Sequence, residues 1–329
     1  MTESRPSAST AQSDAAARRA AWSAYWQAGA LHSCVGSWSG NYGGAIAAFW
    51  SRSFAALANG ARVLDLATGN GPLPQLLLQQ RPDDAALRID AVDAAALAPA
   101  WYRADAQPRL RFHQGVAMEA LPFADGSFDL VTSQYGFEYA DRAPALAELL
   151  RVLAPRGGVA LVMHHAGSVL VEVARSELRH QARLLADDGL LAAAAAVVPW
   201  FALARAGGNP GADPAARRAR AAYNAAQQAL STAIAGEHAP DLLVDVRDAV
   251  HRLVAATGAD PAPTLAALAD WRAGLGNAAL RSRELVACAL HPGDVADLRD
   301  AIVTARGGGV TVAELGQEEG VLGWSLESA

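Results

Sequence analysis

Residues 63–72, Val-Leu-Asp-Leu-Ala-Thr-Gly-Asn-Gly-Pro, constrain this chain more than any other stretch. An apolar run ends in a turn of small residues, and a Leu-rich segment (73–80) follows at once. That order reads as a buried strand of a parallel sheet feeding the N-terminus of a helix. Gly69 and Gly71 let the backbone approach a ligand closely and take positive φ without strain. Turns of this kind also bind dinucleotides, so the turn points to a nucleoside ligand and not yet to a reaction.

Composition removes several alternatives. All 27 basic residues among the 329 are arginine. Without lysine there is no P-loop lysine, no Schiff base, and no Tyr-x-x-x-Lys pair of a short-chain dehydrogenase. A net charge of −6 and no long basic run argue against a nucleic-acid partner. With 52% hydrophobic residues the chain is globular, as one large domain or two smaller ones. Cys34 and Cys288 form no pairing pattern, which suggests a reducing compartment. Residues 1–20 have no signal-peptide pattern and read as a disordered tail. The longest apolar run, 190–204, contains Pro199 and is shorter than the ~20 residues of a membrane span. The expectation is a cytoplasmic protein.

Residues 21–60 carry eight aromatics around a Gly-rich loop. They read either as a helical lid, with His32, Ser33, Asn41 or Tyr42 touching ligand, or as a helix-loop-helix whose rings are core. Residues 87–93 form a second strand ending in Asp93, a position suited to accept hydrogen bonds from ribose hydroxyls. Asp93 is preferred over Asp90 because strand ends face the ligand crevice. Strands three and four follow at 109–113 and 128–133. Gln134, Tyr135, Glu138 and Tyr139 leave the carboxyl end of the fourth, where they either meet substrate or cap the next helix. That helix stops at Pro155, Gly157 and Gly158 turn the chain, and a fifth strand ends in His164 and His165. Adjacent strand residues point to opposite faces, so the two histidines do not chelate one metal, and no metal is expected. One is a candidate general base; the other packs.

Residues 168–290 change to Ala/Leu/Arg-rich helical periodicity, enough for four or five helices, with Asp213 and Asp260 before Pro at N-cap-like positions. The apolar surplus suggests a cap over a hydrophobic substrate or an interface for a homodimer; a self-contained bundle reads equally well. A helix at 292–306 and two alternating strands, 310–315 and 321–327, close the chain as an antiparallel hairpin.

Three features together resemble the class I S-adenosyl-L-methionine (SAM)-dependent methyltransferases. They are the acid-x-Gly-x-Gly-x-Gly turn, present as Asp65, Ala67, Gly69 and Gly71; residues 121–131, Leu-Pro-Phe-Ala-Asp-Gly-Ser-Phe-Asp-Leu-Val; and Arg-Val-Leu (151–153) before the Pro-Gly-Gly turn, here interrupted by Arg156. The resemblance spans about 61–166 and 292–329. It implies a Rossmann-like seven-stranded, mostly parallel α/β sheet with a C-terminal antiparallel hairpin. The resulting layout is a lid (21–60), a SAM-binding core (61–167), a helical insertion (168–290) and the closing elements (291–329).

It also implies a cofactor set of Asp65, Ala67, Thr68, Gly69, Asn70, Gly71, Asp93, Ala117, Met118 and Gln134. Ala117 stands where the family commonly has an acid for the adenine amino group, so adenine would rely on backbone groups and Met118. The candidate catalytic residues are His164, His165, Tyr135 and Glu138; His32, Asn41, Tyr42 and Tyr139 are placed on the substrate and lid side. The implied reaction is O- or C-methylation of a small, hydrophobic metabolite, yielding S-adenosyl-L-homocysteine. A scaffold that binds SAM without methyl transfer is the alternative. A nicotinamide-dependent oxidoreductase is disfavoured by the missing lysine, the 121–131 segment and the hairpin.

Overall fold

Strands with apolar residues on both faces set the architecture. A computed structural model describes residues 8–34, 38 and 40–328. After helices α1 (Ala8–Gln27) and α2 (Gly44–Ala55) come β1 (Arg62–Leu66), α3 (Pro72–Gln80), β2 (Arg88–Asp93), β3 (Leu110–Gln114), β4 (Phe128–Gln134), α4 (Arg142–Val152) and β5 (Leu153–Met163). Helices α5 (Val169–Leu185), α6 (Leu190–Arg205), α7 (Pro214–Gly236), α8 (Asp241–Ala255) and α9 (Ala262–Cys288) follow. Then α10 (Pro292–Arg306), β6 (Val310–Gln317) and β7 (Gly320–Ser328) return to the sheet.

The seven strands lie in the order β3-β2-β1-β4-β5-β7-β6. β1 to β5 are parallel neighbours, and β7 pairs antiparallel with both β5 and β6. The sheet is the mostly parallel one, closed by an antiparallel hairpin, that the sequence implies. Successive residues of β1 face opposite sides. Leu64 and Leu66 pack with Leu149 of α4 and Ile302 of α10, while Val63 packs with Phe49 and Trp50 of α2 and Leu77 of α3.

Two details differ from the sequence reading. The first concerns residues 1–20, expected to be a disordered tail: from Ala8 onward they belong to α1. Alanine is the best helix former, and the far half of the helix is anchored by rings, with Trp22, Tyr25 and Trp26 packed on Ala95, Leu97 and Phe112. Residues 1–7 lie outside the described residues. The second is the 155–158 turn. It is no separate turn between helix and strand: α4 ends at Val152, and the four residues form an irregularity inside β5, where the pairing jumps from Phe128↔Leu153 to Leu130↔Gly158.

The contacts divide the chain into two units, one reaching Val173 and resuming at Glu284, the other Ala174–Arg283. The second unit has its own apolar core, with Leu191, Ala194 and Val198 of α6, Tyr223 of α7, Val246 and Val250 of α8, and Leu268 of α9. Asp213 caps α7 by accepting the Ala215 N–H at 2.7 Å, and Asp260 accepts the Ala262 N–H at 2.9 Å. Residues 169–205 include an 18-residue window of mean hydropathy 1.5. They form two helices of 17 and 16 residues, each shorter than the ~20 that cross a bilayer, and do not establish a membrane span.

Candidate active site at the carboxyl ends of the strands

Parallel sheets of this kind bind ligands beyond the carboxyl ends of their strands. The register brings three such ends level. Leu66 pairs with Val92 on one side and Ser133 on the other, so Ala67, Asp93 and Gln134 stand in a row across β2, β1 and β4.

The Gly-rich turn is shaped by close contacts. Gly69 (φ 56°) and Gly71 (φ 78°) both occupy the left-handed region, which glycine enters freely. A Cβ on Gly69 would lie 2.7 Å from the Trp26 ring, and one on Gly71 would lie 2.6 Å from the Phe112 ring. Ala67 adopts φ 51° without being glycine, at a cost of roughly 1–2 kcal/mol. Its methyl fits because its neighbour across the turn is Gly136. Asn70 ties α1 to this turn: its amide donates to the Trp26 and Ala30 carbonyls at 2.9 and 2.8 Å, and its side-chain oxygen accepts the Ala98 N–H.

Two buried carboxylates face the same space. Asp65 accepts the hydroxyl protons of Thr68 at 2.6 Å and Thr132 at 2.8 Å. Burial pushes its pKa up to about 7, against the pull of both hydroxyls, and Asp93 adds to the rise. Asp93 accepts the Gly69 N–H at 2.9 Å and the Ala95 N–H at 2.8 Å. Burial raises its pKa to about 6, with those backbone bonds opposing.

A cavity of about 250 Å³ opens over these groups. Of the expected cofactor residues, Asp65, Ala67, Thr68, Asp93, Ala117, Met118 and Gln134 line it, whereas Gly69, Asn70 and Gly71 form the turn beside it. Gln134 is held by a hydrogen bond from the Trp50 indole to its side-chain oxygen. His32, Tyr42, Tyr135 and Tyr139 also line the cavity. His32 stacks on Tyr42 at 4.4 Å, and burial lowers its pKa. Burial raises the phenols of Tyr42, Tyr135 and Tyr139 well above their ordinary value, so these phenols are not bases.

Other expected residues lie elsewhere. Asn41 is bound to α3, donating to the Pro72 carbonyl and the Gln75 side chain, both at 2.9 Å, so it ties the loop down instead of meeting ligand. His164 and Glu138 are buried together outside the cavity lining. One Glu138 oxygen accepts both the His164 backbone N–H at 2.7 Å and the ring Nδ1–H at 2.6 Å. The Tyr135 ring is stacked on the imidazole at 4.2 Å. His165 accepts the Gly167 N–H through Nδ1 and packs on Trp324. Neither histidine lines the cavity as a base would; both are built into the end of β5.

The sequence reading missed Trp22, Trp26, Arg18, Arg19 and Gly136, all of which line the cavity. Trp22 and Trp26 are four residues apart, the spacing that puts two side chains on one face of a helix. Gly136 carries no local signal; it matters only through Ala67.

Comparison with known proteins agrees with this geometry. A family model described as "Methyltransferase domain" matches residues 63–157. A demethylmenaquinone methyltransferase of Thermus thermophilus is 45% identical over 98 residues, covering 29% of this chain and 44% of that protein. One from Deinococcus radiodurans is 40% identical over 118 residues, covering 34% and 48%. The chain thus spans less than half the length of these curated relatives. Among solved structures, the 1,6-didemethyltoxoflavin-N1-methyltransferase of Burkholderia thailandensis matches at a TM-score of 0.38 with 19% identity, over 50% of this chain and 68% of that one. Strand order, Gly-rich turn and family match converge on residues 63–157, which form a methyltransferase domain.

Proposed function

We propose that this chain transfers a methyl group from SAM to a small hydrophobic acceptor, at carbon or oxygen. The observation that carries this reading is the cavity itself. It joins the motif acid Asp65, the strand-end acid Asp93 and the apolar Met118 to a wall of aromatic rings at the ends of β1, β2 and β4. Asp93 would hold the ribose hydroxyls, and Met118 and the backbone near Ala117 would hold adenine. The relatives named for demethylmenaquinone support an acceptor of quinone-like, apolar character. A cytoplasmic location fits such a metabolic role.

The sulfonium is already an activated methyl donor, so the protein's task is to hold the acceptor nucleophile in line with the methyl carbon in a dry pocket. Ordering of this kind can supply ~7–11 kcal/mol. Neither histidine of β5 is needed as a base in this scheme. The test is incubation with methyl-labelled SAM and a reduced demethylated naphthoquinone, followed by extraction of the product. Label in the organic phase supports the reading. SAM binding without transfer to any apolar acceptor would favour the binding-scaffold alternative.

A further inference from the structure

The connection between β3 and β4, residues 115–127, holds no helix. Crossover helices ordinarily cover the faces of a parallel sheet. Here the amino ends of β1 to β3 keep exposed side chains instead, those of Arg62, Arg88 and Arg111. Alternation along each strand puts Arg62 on the side of Leu64, and Arg88 and Asp90 on the side of Val92. That is the face that packs against α4. A second cavity, of about 420 Å³, opens there, and Arg109 joins the three arginines in its lining. It lies at the other end of the strands from the first: β1, five residues long at about 3.3 Å each, runs from Arg62 to Ala67.

Arg62 and Arg88 are register partners across β1 and β2, as are Asp90 and Arg111 across β2 and β3. Like charges opposite each other in a sheet are destabilising, and the protein compensates them only in part. Arg62 pairs with Asp129 at 3.2 Å. Asp90, the one carboxylate lining the cavity among the described residues, lies 2.7 Å from Nε2 of His113. Arg88 donates from Nη1 to the Ala85 and Leu87 carbonyls, and Arg109 from Nη1 to those of Arg81 and Asp84. Among the described residues Arg88, Arg109 and Arg111 make no ion pair. In a chain of net charge −6, this local excess of cations has no carboxylate set against it.

We propose that Arg62, Arg88, Arg109 and Arg111 form a binding site for the phosphoryl group of a small phosphate, separate from the cavity proposed for methyl transfer. A guanidinium stays charged at any working pH and presents its N–H donors as a planar fork that matches phosphate oxygens. Ile89 and Phe128 in the lining are buried, and an apolar surround strengthens hydrogen bonds to a charged group. Pro108 and Phe123, in the same lining, would meet the organic part of a phosphate ester. An anion seated there relieves the repulsion between Arg62 and Arg88.

Calorimetric titration with inorganic pyrophosphate and with phenyl phosphate, at an ionic strength held constant with sodium chloride, tests this. Wild type is compared with Arg111→Gln, with Arg88→Gln/Arg111→Gln, and with Arg156→Gln, which removes an exposed arginine outside the cavity. Circular dichroism checks that each is folded. Binding at one site per chain is expected. It should weaken about tenfold in Arg111→Gln, vanish in the double variant and hold in Arg156→Gln. Equal variant effects on both probes would assign recognition to the phosphoryl group alone, and tighter binding of phenyl phosphate would extend the site to the body of an ester; either supports the proposal. No binding of either probe to folded wild type would overturn it, as would binding that survives in the folded double variant. Equal weakening by Arg156→Gln and Arg111→Gln would overturn it too, by reducing the effect to overall charge. So would binding of the polyanion heparin without either small phosphate, which would point to an acidic macromolecule. The titration uses no SAM, so its failure leaves the proposed function standing.

Discussion

The methyl group of Ala67 fills the space that Gly136 leaves empty. A Cβ built on Gly136 would lie 2.4 Å from the Cβ of Ala67, on the neighbouring strand end. The departure from glycine at the first position of the motif turn is therefore compensated at a residue 69 positions further on.

Gly136→Ala should destabilise the fold by about 1–3 kcal/mol through overpacking. Ala67→Gly should restore most of that loss when combined with it. Alone, Ala67→Gly relieves a strain of ~1–2 kcal/mol but gives up a methyl contact of ~0.8 kcal/mol and adds ~0.5–1 kcal/mol of chain entropy cost, so it should stay within about 1 kcal/mol of wild type. Urea denaturation of the two single variants and the double variant closes the cycle. Additive effects would show that the two sites do not couple.

Asp93→Ala should do more than remove a ligand contact. It strips the acceptor from the buried Gly69 and Ala95 N–H groups, each worth about 1–3 kcal/mol when left unpaired. A loss of stability of roughly 2–4 kcal/mol in the cofactor-free protein is expected, along with loss of SAM binding. Asp93→Asn keeps an acceptor for one of the two N–H groups and should lie between. Wild-type stability in Asp93→Ala would mean that the carboxylate does not organise the turn.

Asp65 and Asp93 hold folded-state pKa values of about 7 and about 6, above the ordinary 3.8. The folded protein therefore binds more protons than the unfolded chain between pH 4 and 7. Stability from these two acids is fully present near pH 4 and is lost as pH rises through 6 and 7. The lowered acids, among them Glu148 and Asp294, act in the opposite sense and at lower pH. Cofactor-free protein should thus lose on the order of 2–4 kcal/mol between pH 4.5 and 8. Asp65→Asn should flatten most of that slope, and a slope identical to wild type would show that Asp65 ionises normally.

The Glu138–His164 pair should matter for folding and not for proton transfer. Glu138→Ala leaves the His164 backbone and ring N–H groups buried without an acceptor, which should cost about 2–4 kcal/mol. Once folded, such a variant should transfer methyl groups within about threefold of wild type; a general base contributes typically 10²-fold or more. A hundredfold fall in turnover with stability intact would return the pair to the chemistry.

The sheet was legible from the order of residues alone. Strand periodicity, the glycines at 69 and 71, the 121–131 segment and the closing hairpin are local patterns, and local backbone preference is enough to make them legible. The sequence likewise set the row of Ala67, Asp93 and Gln134, because a parallel sheet always presents the carboxyl ends of its strands together. What covers that row came from packing between distant segments. Trp26 against Gly69 and Ala67 against Gly136 join residues 43 and 69 positions apart, and no period in the chain encodes either pairing. The histidines show the same limit from the other side. His164 is one residue beyond a strand end, where a base belongs, but its neighbours Tyr135 and Glu138 come from another strand's exit. Packing between distant segments turned that imidazole away from the cavity and made it part of the core.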